Sequence, residues 1–182
     1  DLLMLRDAKL VDGRIHVRKD LVCLSLLAYA CEVAGELARP SHPEPKLFGL
    51  LEMALLVLDA ATEPPAVAFR VGLEAKALTF AGLAPSLTRC PSCGESLEQG
   101  ALVFAPGLGG AAHAACHTGE PVSLSWIQAV EAARCTPLRD LVDRALPPGP
   151  AWALSDLLIW HLGRPLKSRG VLQAVAPPGE ER

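Results

Sequence analysis

The sequence predicts a mainly α-helical protein, a helical bundle into which a small zinc-finger-like subdomain is inserted. Hydrophobic residues make up 51% of the 182-residue chain and charged residues only 20%, enough for a sizeable buried core. Aromatics stand at 4%, and leucine, alanine and valine do the filling, which favours helices packed on helices over aromatic-rich strands. Third, the helical periods are interrupted once, from Arg89 to Glu120, by the glycine-rich stretch "RCPSCGESLEQGALVFAPGLGGAAHAACHTGE".

Taken in order, residues 3–9 and 14–19 read as short and extended. In the second, Arg14, His16 and Arg18 alternate with Ile15 and Val17, the period of a strand or extended arm. Those charges form either a solvated strand face or a contact for a polyanion. From Asp20 the period changes to helical. Leu21, Leu24, Leu27/Ala28, Cys31, Ala34 and Leu37 make one stripe, which places Cys23 and Cys31 in the core as small apolar residues. The prolines of "ARPSHPEP" end that helix.

Leu47 to Ala61 is apolar almost all round, the pattern of a helix buried centrally among others. "TEPP" interrupts again, and Pro64 and Pro65 suit the first turn of a helix carrying Val67, Phe69, Val71, Leu73, Leu78 and Phe80. Beyond the interruption, Ser123 or Ser125 caps a helix running through Ala133, and Leu138–Leu146 follows. "PPGP" breaks the chain before two last helices, Ala151–Leu162 and Ser168–Val175, and a frayed Pro-, Gly- and Glu-rich tail. The organisation expected is therefore an N-terminal segment 1–19, a first bundle part 20–85, a metal-binding subdomain 86–120, a second bundle part 121–176 and a tail 177–182.

The interrupting stretch carries the chemistry. Zinc takes four tetrahedral N or S ligands, and a CxxC pair on a tight turn brings two thiolates to one ion. Cys90 and Cys93 supply that pair, with Gly94 following for the sharp turn, and "HAAC" presents His113 and Cys116 at the same spacing. This predicts a structural Cys3His zinc site. His117 adjoins Cys116 and lacks the spacing, so His113 is the favoured fourth ligand. Four protein ligands close the shell, whereas hydrolytic zinc keeps a position open for water, and no enzyme is expected. The competing reading, free or redox thiols, would want a strand-to-helix junction that the pattern does not offer. "GLGG" at 107–110 lacks the GKS/T of a phosphate loop and reads as a flexible connection inside the knot.

The formal net charge of −3 excludes a polycation, so any nucleic-acid contact must come from a local patch. No signal peptide is read, because charges stand where its apolar core would be. The longest nearly uncharged run, about 12 residues, is too short for a membrane span of ~20. A cytoplasmic protein follows as the expectation. The last motif is "HLGRPLKSRGVL" at 161–172, where Arg164, Lys167 and Arg169 gather beside Leu162, Leu166, Val171 and Leu172. These cations either offset helix-end carbonyls or meet an anion, DNA phosphate or an acidic peptide.

Four stretches in this order resemble the bacterial RecO family of DNA repair and recombination mediators. "RKDLVCLSLLAYACEVAGEL" resembles its first bundle helix, and "FRVGLEAKALTFAGLAPSLTRCPSCG" its long helix running into the first knuckle. "LVFAPGLGGAAHAAC" is similar to the strand, Gly-Gly and second knuckle, and "HLGRPLKSRGVL" to the C-terminal helix signature. His113 departs from the family's usual second CxxC, which a Cys3His site tolerates. The family also begins with a DNA-binding OB-fold barrel, for which residues 1–19 are too few, so the N-terminal OB-fold is expected to be largely absent.

The resemblance implies a non-enzymatic, nucleoid-associated mediator that binds single- and double-stranded DNA. It would anneal complementary strands and help load recombinase onto DNA coated by single-strand-binding protein. The partners implied are RecR, with RecF in some assemblies, and the acidic C-terminal tail of the single-strand-binding protein. Arg164, Lys167 and Arg169 are the candidates for DNA or tail contact. A zinc-stabilised helical adaptor without its own DNA binding is the rival, and lacks the salt-dependent affinity that phosphate contacts confer.

Overall fold

The computed structural model describes Met4 and residues 6–175. Among these it is mainly helical, with six α-helices and one small sheet. The helices are α1 (Leu21–Leu37), α2 (Pro45–Ala60), α3 (Val67–Phe80), α4 (Leu124–Cys135), α5 (Ala153–Leu162) and α6 (Lys167–Val175). The strands β1 (Leu102–Ala105), β2 (Gly110–His113) and β3 (Glu120–Val122) form an antiparallel sheet in the order β2-β1-β3. No helix among the described residues is long and apolar enough to cross a membrane.

The central helix is α3, not α2. Residues from Ala68 to Leu78 are buried on every side except at Lys76, against α1, α2, α4 and α5. By contrast α2 buries Leu47, Leu50, Ala54 and Leu58, and leaves Phe48 69% and Leu56 41% exposed. Gly72 explains how α3 is enclosed: a Cβ there would stand 2.3 Å from Leu141 Cδ1 and 3.3 Å from the Ala133 carbonyl. The missing side chain lets the backbones of α3 and α4 approach closely.

That burial includes an ion pair. Arg70 Nη1 donates to Glu74 Oε1 at 3.0 Å, and the Tyr29 hydroxyl of α1 donates to the same oxygen at 2.7 Å. Arg70 Nη2 reaches the Ala151 carbonyl at 2.8 Å, and the guanidinium lies 3.8 Å over the Trp152 ring. Burial pushes the Glu74 carboxyl up, against the pull of Arg70 and of Tyr29. One cluster thus ties α1, α3 and the entry to α5.

This tie also sets the face of α1. Leu21 and Leu24 are 61% and 39% exposed and Cys31 is exposed, while Cys23, Leu26, Tyr29, Ala30, Val33 and Leu37 are buried. The expected stripe is rotated: both faces of α1 are apolar, and the one carrying Tyr29 turns inward to reach Glu74. Asp20 starts the helix as N-cap, its carboxylate accepting from the Cys23 amide at 2.8 Å.

Two further expectations are corrected. Residues 14–19 form no strand: Asp59, near the end of α2, accepts from the amides of His16 and Val17 and folds Val17–Lys19 into a 3-10 turn. Leu138–Leu146 shortens to a 3-10 turn at Leu138–Leu141, because the Val142 carbonyl accepts from Ala66 instead of continuing a helix. The extended stretch at 3–9 lies partly outside the described residues, with no strand among those described, and the tail 177–182 lies wholly outside them.

The last helix is fastened by one carboxylate. Glu32 of α1 accepts from the Lys167 and Ser168 amides, both at 2.8 Å, and from the Ser168 hydroxyl, capping α6 from another helix. Burial raises the Glu32 carboxyl, but the Ser168 hydroxyl and these amides outweigh it and hold the group below the ordinary 4.5.

Two outcomes follow. Glu74→Ala leaves Arg70 buried without its anion and should cost about 3–5 kcal/mol in urea unfolding, while Glu74→Gln, which keeps the Tyr29 bond, costs less. Glu32→Gln should speed amide exchange across Lys167–Val175 at pH 7, equivalent to about 1 kcal/mol. A depressed carboxylate stabilises above its unfolded value and loses that as pH falls through the folded one. The difference between wild type and Glu32→Gln should therefore shrink on acidification below 4.5.

Candidate metal centre

The knot between α3 and α4 is built on two tight turns. In the first, the Gly94 amide donates to the Cys90 carbonyl and the Cys90 amide to the Glu95 carbonyl, each at 2.8 Å. Gly94 sits at φ 78°, a conformation that glycine adopts without steric cost. The second turn leaves the end of β2, where the Cys116 amide donates to the His113 carbonyl at 2.9 Å. His113 is paired with Leu102 across the sheet, so this ligand stands on a strand rather than a loop.

"GLGG" is an ordered part of this frame, not a flexible connection. Gly109 closes a turn in the left-handed region, and Gly110 begins β2 at φ 153°. A Cβ at Gly110 would lie 2.4 Å from the Ser86 carbonyl, which accepts from the Ala111 amide. Beneath the turns, Leu87, Leu97, Leu102, Phe104, Ala111 and Ala112 form a small core. The Phe104 ring meets Trp126 of α4 edge-on, 5.7 Å between centroids, and so docks the knot on the bundle.

The ligand atoms of Cys90, Cys93, His113 and Cys116 all lie within 4.8 Å of one another. Sulfur and nitrogen ligands about 2.0–2.3 Å from one tetrahedral ion stand roughly 3.5–3.8 Å apart. The group therefore has nearly the dimensions of a single coordination shell, and Cys93 Sγ already stands 3.4 Å from His113 Nδ1. His113 Nε2 lies 3.1 Å from the Ser96 carbonyl. An Nε2–H donated there leaves the lone pair on Nδ1, facing the thiols, as the outer partner of a metal-bound histidine does. His117 is outside the cluster, its Nδ1 turned to the Thr118 carbonyl.

The electrostatics point the same way. The His113 amide, ahead of those of Cys93 and Ser92 and against burial, draws the Cys90 thiol down to about 6. Cys93, with burial and Cys90, pushes Cys116 up to about 11. Thiolates so close together oppose one another, and a cation between them removes the conflict. The residues present fit a tetrahedral metal ion.

Residues 18–170 match the family model described as "Recombination protein O C terminal". The chain belongs to the RecO family. It is 38% identical to the DNA repair protein RecO of Anaeromyxobacter sp. (strain K), over 97% of this chain and 72% of that protein. It is 34% identical to that of Myxococcus xanthus (strain DK1622), over 87% and 65% respectively. The RecO protein of Syntrophotalea carbinolica is 34% identical over 67% of this chain and 46% of its own length. No solved structure gives a significant match.

In this RecO-family chain the second group of sequence candidates lies between the end of α5 and the first turn of α6. Arg164 pairs with Glu36 of α1, and Arg169 Nη1 with Asp156 Oδ1 at 2.5 Å. Lys167 is exposed, its backbone amide held by Glu32. Sequence reasoning missed a different cationic site, a groove of about 490 Å³ between α2, α3 and the turn at 138–141. Its walls include Leu50, Met53, Phe80 and Leu138, and its polar edge is Lys46, Lys76 and Arg139. The buried Arg70–Glu74 pair was also missed, although its i, i+4 spacing inside an apolar helix was a signal.

Titrated with cobalt(II), the reduced chain should develop the absorption of a tetrahedral thiolate complex, saturating near one equivalent. Cys93→Ser and Cys116→Ser should weaken binding at least tenfold, whereas His117→Ala should leave it unchanged.

Proposed function

We propose that this chain serves a RecO-type mediator, binding DNA, annealing complementary strands and helping recombinase replace single-strand-binding protein. The family match over residues 18–170 carries this reading. The metal is zinc, held in a closed Cys3His set that acts as a staple: with no fourth position open to water, it supplies structure rather than catalysis. The partners are single- and double-stranded DNA, RecR, in some assemblies RecF, and the acidic tail of the single-strand-binding protein, in a cytoplasmic, nucleoid-associated setting.

The groove of Lys46, Lys76 and Arg139 is the place we assign to that tail. An acidic peptide with apolar side chains needs cations at a rim and a dry wall beside them, and this groove offers both. Met53 and Phe80 are 37% and 36% exposed there, apolar surface that a partner would cover. Arg164 and Arg169 are closely paired with Glu36 and Asp156, which disfavours them for the tail and leaves Lys167 as a phosphate contact. Arg139, by contrast, makes only a looser 3.6 Å contact with Asp140, and Lys46 has no ion pair among the described residues.

The purified chain should speed annealing of complementary strands coated with single-strand-binding protein and bind DNA with an affinity that falls with salt. Absence of both would sink the mediator reading and favour the protein-only adaptor. Lys46→Glu with Arg139→Glu should weaken binding of the acidic tail peptide about tenfold or more while the circular dichroism spectrum is kept. An unchanged affinity would move the tail elsewhere.

A further inference from the structure

A second cleft, of about 550 Å³, opens where the metal knot meets α5. One wall is Pro106, Gly107 and the loop His117–Glu120, and the other is the α5 face carrying Ala153, Asp156 and Trp160. Its chemistry is opposite to that of the tail groove. Asp156 and Glu120 line it, and no lysine or arginine does. Asp156 gives one oxygen to Arg169 and remains 43% exposed; Glu120 is exposed and has no ion pair among the described residues.

The chain's three tryptophans show what Trp160 lacks. Trp126 is buried edge-on to Phe104. Trp152 has two guanidiniums over its ring, Arg70 at 3.8 Å and Arg169 at 5.3 Å. Trp160 is 62% exposed, and among the described residues no cation stands over it. It is nevertheless positioned: a Cβ on Gly107 would lie 3.4 Å from its Cζ2, so the indole is backed by the turn before β2.

We propose that this cleft receives an arginine side chain of a partner protein. The guanidinium stacks on the Trp160 indole, and its N–H groups donate to Glu120 and to the free oxygen of Asp156. A planar cation with several donors meets an aromatic face and two carboxylates at once, which a lysine ammonium does less well. A strand of DNA is disfavoured, because its phosphates would face Glu120 and Asp156 with no lysine or arginine in the lining, Arg169 being already paired with Asp156. This docking is independent of the mediator reading and of the tail groove.

The test follows the three indole N–H resonances of the full metal-loaded chain at low salt, with Trp160 assigned through Trp160→Phe. The probe is a capped Gly-Arg-Gly peptide, with Gly-citrulline-Gly and a single-stranded oligonucleotide as the other arms. The arginine peptide should shift the Trp160 resonance saturably and the citrulline peptide should not. Glu120→Gln should weaken the effect about three- to fivefold, with Trp126 and Trp152 unmoved to show an intact fold. Absence of a saturable shift, or equal shifts with citrulline, overturns the proposal. So does a shift with the oligonucleotide but not the arginine peptide, which would make the cleft a base-stacking site.

Discussion

A helix buried along most of its length must satisfy whatever polar groups it carries there, and α3 carries a full ion pair. Placing Arg70 and Glu74 in the interior is costly unless each finds partners, since two ions leave water together. Tyr29, the Ala151 carbonyl and the Trp152 ring meet most of that demand, leaving Glu74 Oε2 without a hydrogen-bond partner, and they come from before and after α3 in the chain. The face that α1 buries, the entry angle of α5 and the place of Trp152 all depend on this one requirement. Leucines at the two positions would make an oilier bundle with less to fix how its helices are rotated.

What the sequence revealed and what it concealed divide by distance along the chain. The clustering of Cys90, Cys93, His113 and Cys116 was legible because knuckle geometry is local: a turn of four residues sets where two sulfurs go. The Ser123 cap and the proline breaks were legible for the same reason, and Ser123 does accept from the Trp126 amide. The rotation of α1 was not, because two of its faces are apolar and only a distant carboxylate distinguishes them. The strand expected near Val17 failed for a similar cause, since Asp59, 42 residues away, captures the amide of Val17. The rims of the two clefts were invisible in principle, each being assembled from three separated segments.

The family assignment and the physical reading support one another without being the same thing. Membership says that the chain is a DNA repair protein's helical part, matched from residue 18 to 170. The geometry says how that part is arranged for contact. The basic, apolar groove lies against α2 and α3, while the acidic, aromatic cleft lies at the seam between knot and α5. Linings of opposite sign in two places differ in the ligands they favour, since a charge that suits one is repelled from the other.

The burial of the four clustered side chains of the candidate metal centre is uneven. Cys90 is 1% exposed, whereas Cys93 and Cys116 are open to solvent and His113 lies between these extremes. An ion bound in such a half-open bowl would be reachable from solvent without the fold opening. A competing chelator or an oxidant would engage the outer sulfurs first and take Cys90 last. Loss of the metal would then run as a stepwise exchange at the surface, on a timescale set by the attacking reagent rather than by global unfolding.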